Sequence, residues 1–137
     1  MSETTGTRVA RCACGGLTAT AAGAPAGTHL CSCQECQRRS GSAFSYAGVY
    51  PESAVTIAGR STSFRQTRDS GRWVELTFCP TCGVTLYWRV EAFPGMIGIS
   101  AGCFADPDYP APRRLFWAAK RHRWLEPPTG VKVFDAQ

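Results

Sequence analysis

Lysine is almost missing from this chain: of its 15 basic residues only Lys120 and Lys132 are lysines, the others being arginine. Charge is sparse altogether, at 18% of residues against 44% hydrophobic, which excludes a disordered chain. No apolar run approaches the roughly 20 residues of a membrane-spanning helix, so no membrane partner is expected. Residues Met1 to Arg8 contain no apolar export core, and the expected compartment is the cytoplasm. No internal repeat and no basic tail is present. Glycine and proline, by contrast, are plentiful and evenly spread, with 14 and 9 copies. They call for many turns between short strands and exclude a helix bundle. The 137 residues suit one domain able to bury about two-thirds of its unfolded surface. The reading is a flexible N-terminus over 1–7 and one folded domain over 8–134.

Cysteine is over-represented, with eight copies. Seven form three clusters: Cys12-Ala-Cys14-Gly, Cys31-Ser-Cys33-Gln-Glu-Cys36 and Cys79-Pro-Thr-Cys82-Gly. Cys103 stands alone, in an apolar setting that suits a small buried hydrophobe. A reducing compartment disfavours disulfides, and cysteines one or two residues apart bridge each other poorly. They do suit a tetrahedral metal ion that takes two sulfurs from one tight loop. In the Cys79 cluster proline sets φ, and Gly83 can adopt the left-handed conformation that turns amides toward sulfur. Cys12-Ala-Cys14 is followed by glycine in the same way. Two such knuckles facing each other would close a four-sulfur site, leaving Cys31, Cys33 and Cys36 as a three-sulfur site with a free position. Spacing alone leaves this pairing open. Seven thiolates on two Zn²⁺ ions would also reduce the formal charge from +5 to about +2. That is an ordinary surface charge and argues against a nucleic-acid partner.

C-x-C-G, then C-x-C-x-x-C, then F-C-P-x-C-G resembles the glutathione-dependent formaldehyde-activating enzyme family, which also contains centromere protein V. Arg38-Arg39-Ser40-Gly41-Ser42-Ala43-Phe44, Val55-Thr56-Ile57-Ala58-Gly59, Gly102 with Asp106-Pro107, and Trp124-Leu125 extend the resemblance over residues 8–130. The resemblance implies an all-β fold, the β-tent of folded-over antiparallel sheets with little helix. It implies a structural zinc on Cys12, Cys14, Cys79 and Cys82, and a second, catalytic-type zinc on Cys31, Cys33 and Cys36. It also implies a carbon–sulfur lyase that joins glutathione and formaldehyde as S-hydroxymethylglutathione, or acts on a related small thiol adduct. The alternative is a non-catalytic zinc module for a protein or nucleic acid. Two departures stand out. Many members carry histidine where this chain has Ser32, and His29 instead lies two residues before Cys31.

The residues between the clusters read as strands. Leu17–Thr20, Ser45–Tyr50, Val55–Ile57, Arg72–Phe78 and Val84–Val90 alternate, and Met96–Ser100 is a short apolar run. The fourth and fifth of these flank the Cys79 knuckle, a hairpin with a metal at its tip. Residues 33–40 suit a short helical stretch that sets Cys33 and Cys36 on one face. Asp69-Ser-Gly71 reads as a turn, Asp106–Pro112 as an irregular loop, and 135–137 as a frayed end. Glutathione carries two carboxylates, which arginine forks grip bidentately. Arg38 and Arg39, directly after the three-cysteine cluster, are the substrate-binding candidates, and Arg65, Arg68 and Arg72 flank the turn. His29 is expected at an exposed strand edge, and the tryptophans at 73, 88, 117 and 124 in packing roles.

Overall fold

The structure, a computed structural model, describes residues 6–68 and 70–137. Each segment read as a strand forms one: the chain is mainly β, with eleven strands, one α-helix and three short 3-10 helices among the described residues, although burial alternates cleanly in β2 and not in β7 or β8. The strands are β1 (Thr7–Arg11), β2 (Leu17–Ala22), β3 (Gly27–Cys31), β4 (Ser45–Pro51), β5 (Val55–Gly59), β6 (Thr62–Thr67), β7 (Trp73–Phe78), β8 (Thr85–Val90), β9 (Met96–Ser100), β10 (Arg114–Phe116) and β11 (Lys132–Val133). Helix α1 spans Gln34–Ser40, between β3 and β4. No helix among the described residues is long and apolar enough to cross a membrane.

Two sheets form. The smaller is β1-β2-β5, antiparallel throughout. The larger runs β11-β10-β3-β4-β9-β8-β7-β6. It is antiparallel except at one end, where β10 lies parallel to both β3 and β11. The core lies between the sheets. Leu17, Ala19 and Ala21 of β2 and Ala10 of β1 are fully buried, at the two-residue period of a strand with one face inward. They are mostly alanines because Tyr50, Tyr87, Leu86, Ile97 and Ile99 of the larger sheet fill the shared layer. Leu30, Leu115 and Ala118 make a smaller cluster beneath the parallel end.

Loops are tied to this frame by specific bonds. The expected irregular loop at 106–112 is present, and the hydroxyl of Tyr46 and that of Thr28 donate to the carbonyls of Pro110 and Ala111, each at 2.7 Å. Both chain ends differ from the reading. Residues 1–5 lie outside the described residues, but Thr7 opens β1 and the carbonyl of Gly6 accepts from the amide of Gly23 at 2.8 Å. The C-terminal residues are not frayed: the carbonyls of Phe134, Asp135 and Ala136 accept from the amides of Ala118, Ala119 and Trp117. The turn read at 69–71 includes Asp69, which lies outside the described residues. Arg68 and Arg72, on either side, close the β6–β7 hairpin through the Arg68 amide and the Arg72 carbonyl at 2.9 Å.

Candidate functional site

Cys12 and Cys14 occupy the turn between β1 and β2, and Cys79 and Cys82 the turn between β7 and β8. The two turns are built alike. The amide of Cys12 donates to the Leu17 carbonyl and that of Cys79 to the Val84 carbonyl, both at 3.1 Å. Gly15 and Gly83 both take φ of 80°, which a side chain would resist. Amides turn onto the sulfurs: Leu17 N–H on Cys12 Sγ at 3.3 Å and Thr81 N–H on Cys79 Sγ at 3.4 Å. The four sulfurs lie within 4.8 Å of one another, a group that could hold a metal ion. Cys12–Cys14 and Cys14–Cys79 are 3.7 and 3.6 Å apart. A tetrahedral zinc with Zn–S bonds of about 2.3 Å has sulfur–sulfur edges of about 3.8 Å, so the donors fit. All eight cysteines are free thiols. The Val84 amide and the other sulfurs pull the Cys82 thiol down to about 6. At Cys14 the Gly16 amide favours the thiolate, but Cys79 and Cys12 outweigh it and push the thiol up to about 11.

The second cluster is local in sequence. Cys31 ends β3, Cys33 is the N-cap of α1 and Cys36 lies in its first turn. The Cys33 sulfur accepts from the Cys36 amide at 3.3 Å, in the place a serine or aspartate oxygen usually takes at a helix start. The three sulfurs also lie within 4.8 Å of one another. Hydrogen bonding from Cys31 and Cys33 holds the Cys36 thiol well below the usual range, while Cys33 and Cys36 push the Cys31 thiol well above it. The expected helical stretch therefore forms and does bring Cys33 and Cys36 to one side. Ser32, fully buried, donates to the Ala43 carbonyl at 3.2 Å and packs beneath the loop. Gln37 fastens the cluster from outside: its amide donates to the carbonyls of Ser32 at 2.7 Å and Lys120 at 3.0 Å, and its oxygen meets His122 Nε2 at 2.9 Å.

Cys31, Cys33 and Cys36 line a cleft of ≈1220 Å³ on the larger sheet, and the four-sulfur group does not. Of the two arginine candidates only Arg39 faces this cleft. Its guanidinium stacks on Trp88 at 4.0 Å and donates toward Cys36 Sγ at 3.8 Å. Arg38 is 68% exposed, pairs with Glu35 at 3.0 Å and lines a separate hollow with His122 and Trp124. Successive helical residues are rotated by about 100°, so only one of the pair can point inward. Arg68 and Arg72 also line the cleft, whereas Arg65 lies on Trp73 at 3.9 Å.

His29 is not at an edge. Its strand is flanked by β10 and β4, its ring packs edge-on to Phe116 at 5.3 Å, and burial pulls its imidazolium below the usual range. It lines the cleft but is not grouped with the three sulfurs. Arg114, its partner across β10, also lines the cleft, and nothing in a three-residue strand announces it. Cys103 is half-buried against the main core, and burial pushes its thiol up. Trp88 is nearly buried, Trp73 and Trp117 are half-buried, and Trp124 is 68% exposed, outside the packing role expected of it.

The model of the family described as "Glutathione-dependent formaldehyde-activating enzyme" matches residues 7–120. Curated relatives carry that same name provisionally. One from Penicillium rubens is 35% identical over 63 residues, 46% of this chain and 32% of its own length. One from Fusarium vanettenii is 32% identical over 83 residues, 59% of this chain and 44% of its own length. The matches thus span a third to under half of those relatives. Among solved structures, a Rhodobacter sphaeroides protein superposes with a TM-score of 0.56 at 20% identity, over 69% of this chain and 85% of its own. That likeness concerns the fold.

Proposed function

From the premise that this chain belongs to the glutathione-dependent formaldehyde-activating enzyme family, we propose that it is a zinc-dependent carbon–sulfur lyase acting on a small thiol adduct. Glutathione with formaldehyde is the reference pair. Cys12, Cys14, Cys79 and Cys82 would hold a structural zinc, and Cys31, Cys33 and Cys36 a second one. The observation that carries the reading is the asymmetry between the clusters. Four sulfurs close on themselves between the sheets, while three open onto a large cleft beside an arginine.

A zinc held by Cys31, Cys33 and Cys36 would favour the thiolate form of an incoming thiol. The protein's own groups do the rest. The Cys33 cap and the Gln37 clamp hold the three sulfurs in one geometry before any ligand arrives. Arg39 places a permanent positive charge beside that cluster, and its stacking on Trp88 restricts the fork that would grip a carboxylate. Arg68, Arg72, Arg114 and Lys120 add further positive charge in the same cleft. Burial biases the half-buried His29 toward its neutral form.

Titration calorimetry on zinc-loaded protein tests this. Glutathione should bind more tightly than S-methylglutathione, which keeps both carboxylates and lacks the thiol. Arg39→Ala should weaken glutathione about tenfold or more, as expected for a charge-assisted pair of about 1.5–3 kcal/mol. Arg38→Ala should leave it within twofold, because that side chain is exposed and points elsewhere. Equal affinity for glutathione and its S-methyl form would remove the thiol anchor from the site.

A further inference from the structure

The sulfur cluster occupies only one end of the cleft. Away from it the floor is sheet. Val74 and Leu76 of β7 lie opposite Val90 and Trp88 of β8, and all four side chains line the cleft with Phe93 of the next turn. The β7 and β8 backbones pair with each other along this stretch, so their amides are largely engaged. What the floor offers is apolar side chain, with Phe93 57% exposed at its rim, and Gln66, Arg68 and Arg72 of the β6–β7 hairpin line the same part of the cleft.

Trp88 separates the two ends. It stands opposite Gly98 on β9, where a Cβ would lie 2.6 Å from its Nε1. Only glycine lets the indole lie down on the neighbouring strand and form a flat wall. The Arg39 guanidinium stacks on the same ring at 4.0 Å. One end of the cleft therefore presents sulfur and the Arg39 guanidinium, and the other presents a hydrocarbon floor together with Arg68 and Arg72.

Glutathione is polar along its length, and formaldehyde adds a single carbon. Arg68 and Arg72 could take glutathione's carboxylates, but neither molecule uses the apolar surface of Val74, Leu76, Val90 and Phe93. The ≈1220 Å³ volume also exceeds the roughly 300–1,000 Å³ of ordinary small-molecule sites. Apolar side chains left open beside a reactive centre mark a binding surface.

We propose that the cleft takes the thiol adduct of a bulky apolar aldehyde, aromatic or branched aliphatic, with its hydrocarbon part on Val74, Leu76, Val90 and Phe93 and its sulfur at Cys31, Cys33 and Cys36. The proposal rests on the thiol-adduct reading above and names its substrate class. The step is addition without redox change. The thiol sulfur bonds to the carbonyl carbon, the C=O π pair moves to oxygen, and the proton lost by the thiol ends on that oxygen. The reverse breaks the same C–S bond.

The test compares S-benzylglutathione with S-methylglutathione on zinc-loaded protein. Both lack the thiol, so their difference isolates the hydrocarbon. The benzyl form should bind at least tenfold more tightly. Val90→Thr, nearly isosteric and strand-compatible, and Phe93→Ser, in an exposed turn, should each bring the benzyl-to-methyl ratio toward one. A ratio near one in the parent protein, or one unmoved by both variants, overturns the proposal, as does a dimer that Phe93→Ser dissolves. In those cases thiol-dependent glutathione binding would still uphold the broader reading. Conversely, benzyl mercaptan that binds in a Val90-dependent way, with no glutathione binding, would keep the hydrocarbon floor and remove glutathione as carrier.

Discussion

Replacing one sulfur in each cluster by oxygen separates their roles. Cys79 is 2% exposed, its sulfur stands 3.6 Å from Cys14 and accepts from the Thr81 amide. Cys14 belongs to the small sheet's β1–β2 turn and Cys79 to the large sheet's hairpin, so the four-sulfur group links the two layers around the core. A structural zinc contributes on the order of 10–16 kcal/mol of apparent binding free energy, which is folding free energy when the site exists only in the folded chain. Losing one of four ligands removes a share comparable with the whole stability of about 5–15 kcal/mol. Cys79→Ser should therefore give no cooperative thermal transition. At Cys33 the balance differs. Its sulfur caps α1 through the Cys36 amide, and serine is among the best residues for that position, so its hydroxyl can take over the bond. With a local loop and a half-buried side chain, the loss should stay near 1 kcal/mol, or about 2–4 °C in Tm. Circular dichroism melts of both variants, with zinc content measured on the same samples, decide the matter. Cys33→Ser should melt cooperatively with about one zinc per chain and no glutathione binding. Equal losses of Tm, or a Cys79→Ser protein that melts like the parent, would refute the division into a structural and a functional cluster.

Two further outcomes follow from the packing. Gly98→Ala places a methyl group against the Trp88 ring, on which Arg39 also stacks. It should cost about 1–3 kcal/mol in denaturant melts and red-shift the tryptophan emission as the ring is forced outward. Tyr50 and Tyr109 share a hydroxyl contact of 2.7 Å in the core, and burial pushes both phenols above their usual range. The unfolded chain releases these protons near pH 10 while the folded chain keeps them, so their contribution is present below that pH and lost as pH rises above it. Tm should fall above about pH 10, and Tyr109→Phe should flatten that slope while lowering Tm at neutral pH by the worth of one buried hydrogen bond, about 1 kcal/mol.

What the sequence by itself determined is the part of this protein that is local. Alternation over Arg72–Phe78 and Val84–Val90 specifies β7 and β8, because a two-residue period is a property of a strand and of nothing else so short. Glycine after each knuckle specifies the turn that aims amides at sulfur. Cys31, Cys33 and Cys36 meet because five residues cannot take them apart. The rest was decided in three dimensions. Cys14 meets Cys79 across 65 residues only because the two sheets fold over one core. Strands β10 and β11 have three and two residues and pair in parallel, too short for any period to show and fixed by the neighbours they lie beside. That pairing makes β3 an interior strand, which turned His29 from an expected edge residue into part of the cleft wall. Arg38 and Arg39 are chemically equivalent in the sequence. One helical step sends Arg38 to solvent and Arg39 onto Trp88, where the sheet, Gly98 and the sulfur cluster give it a ring to stack on and a charge to face.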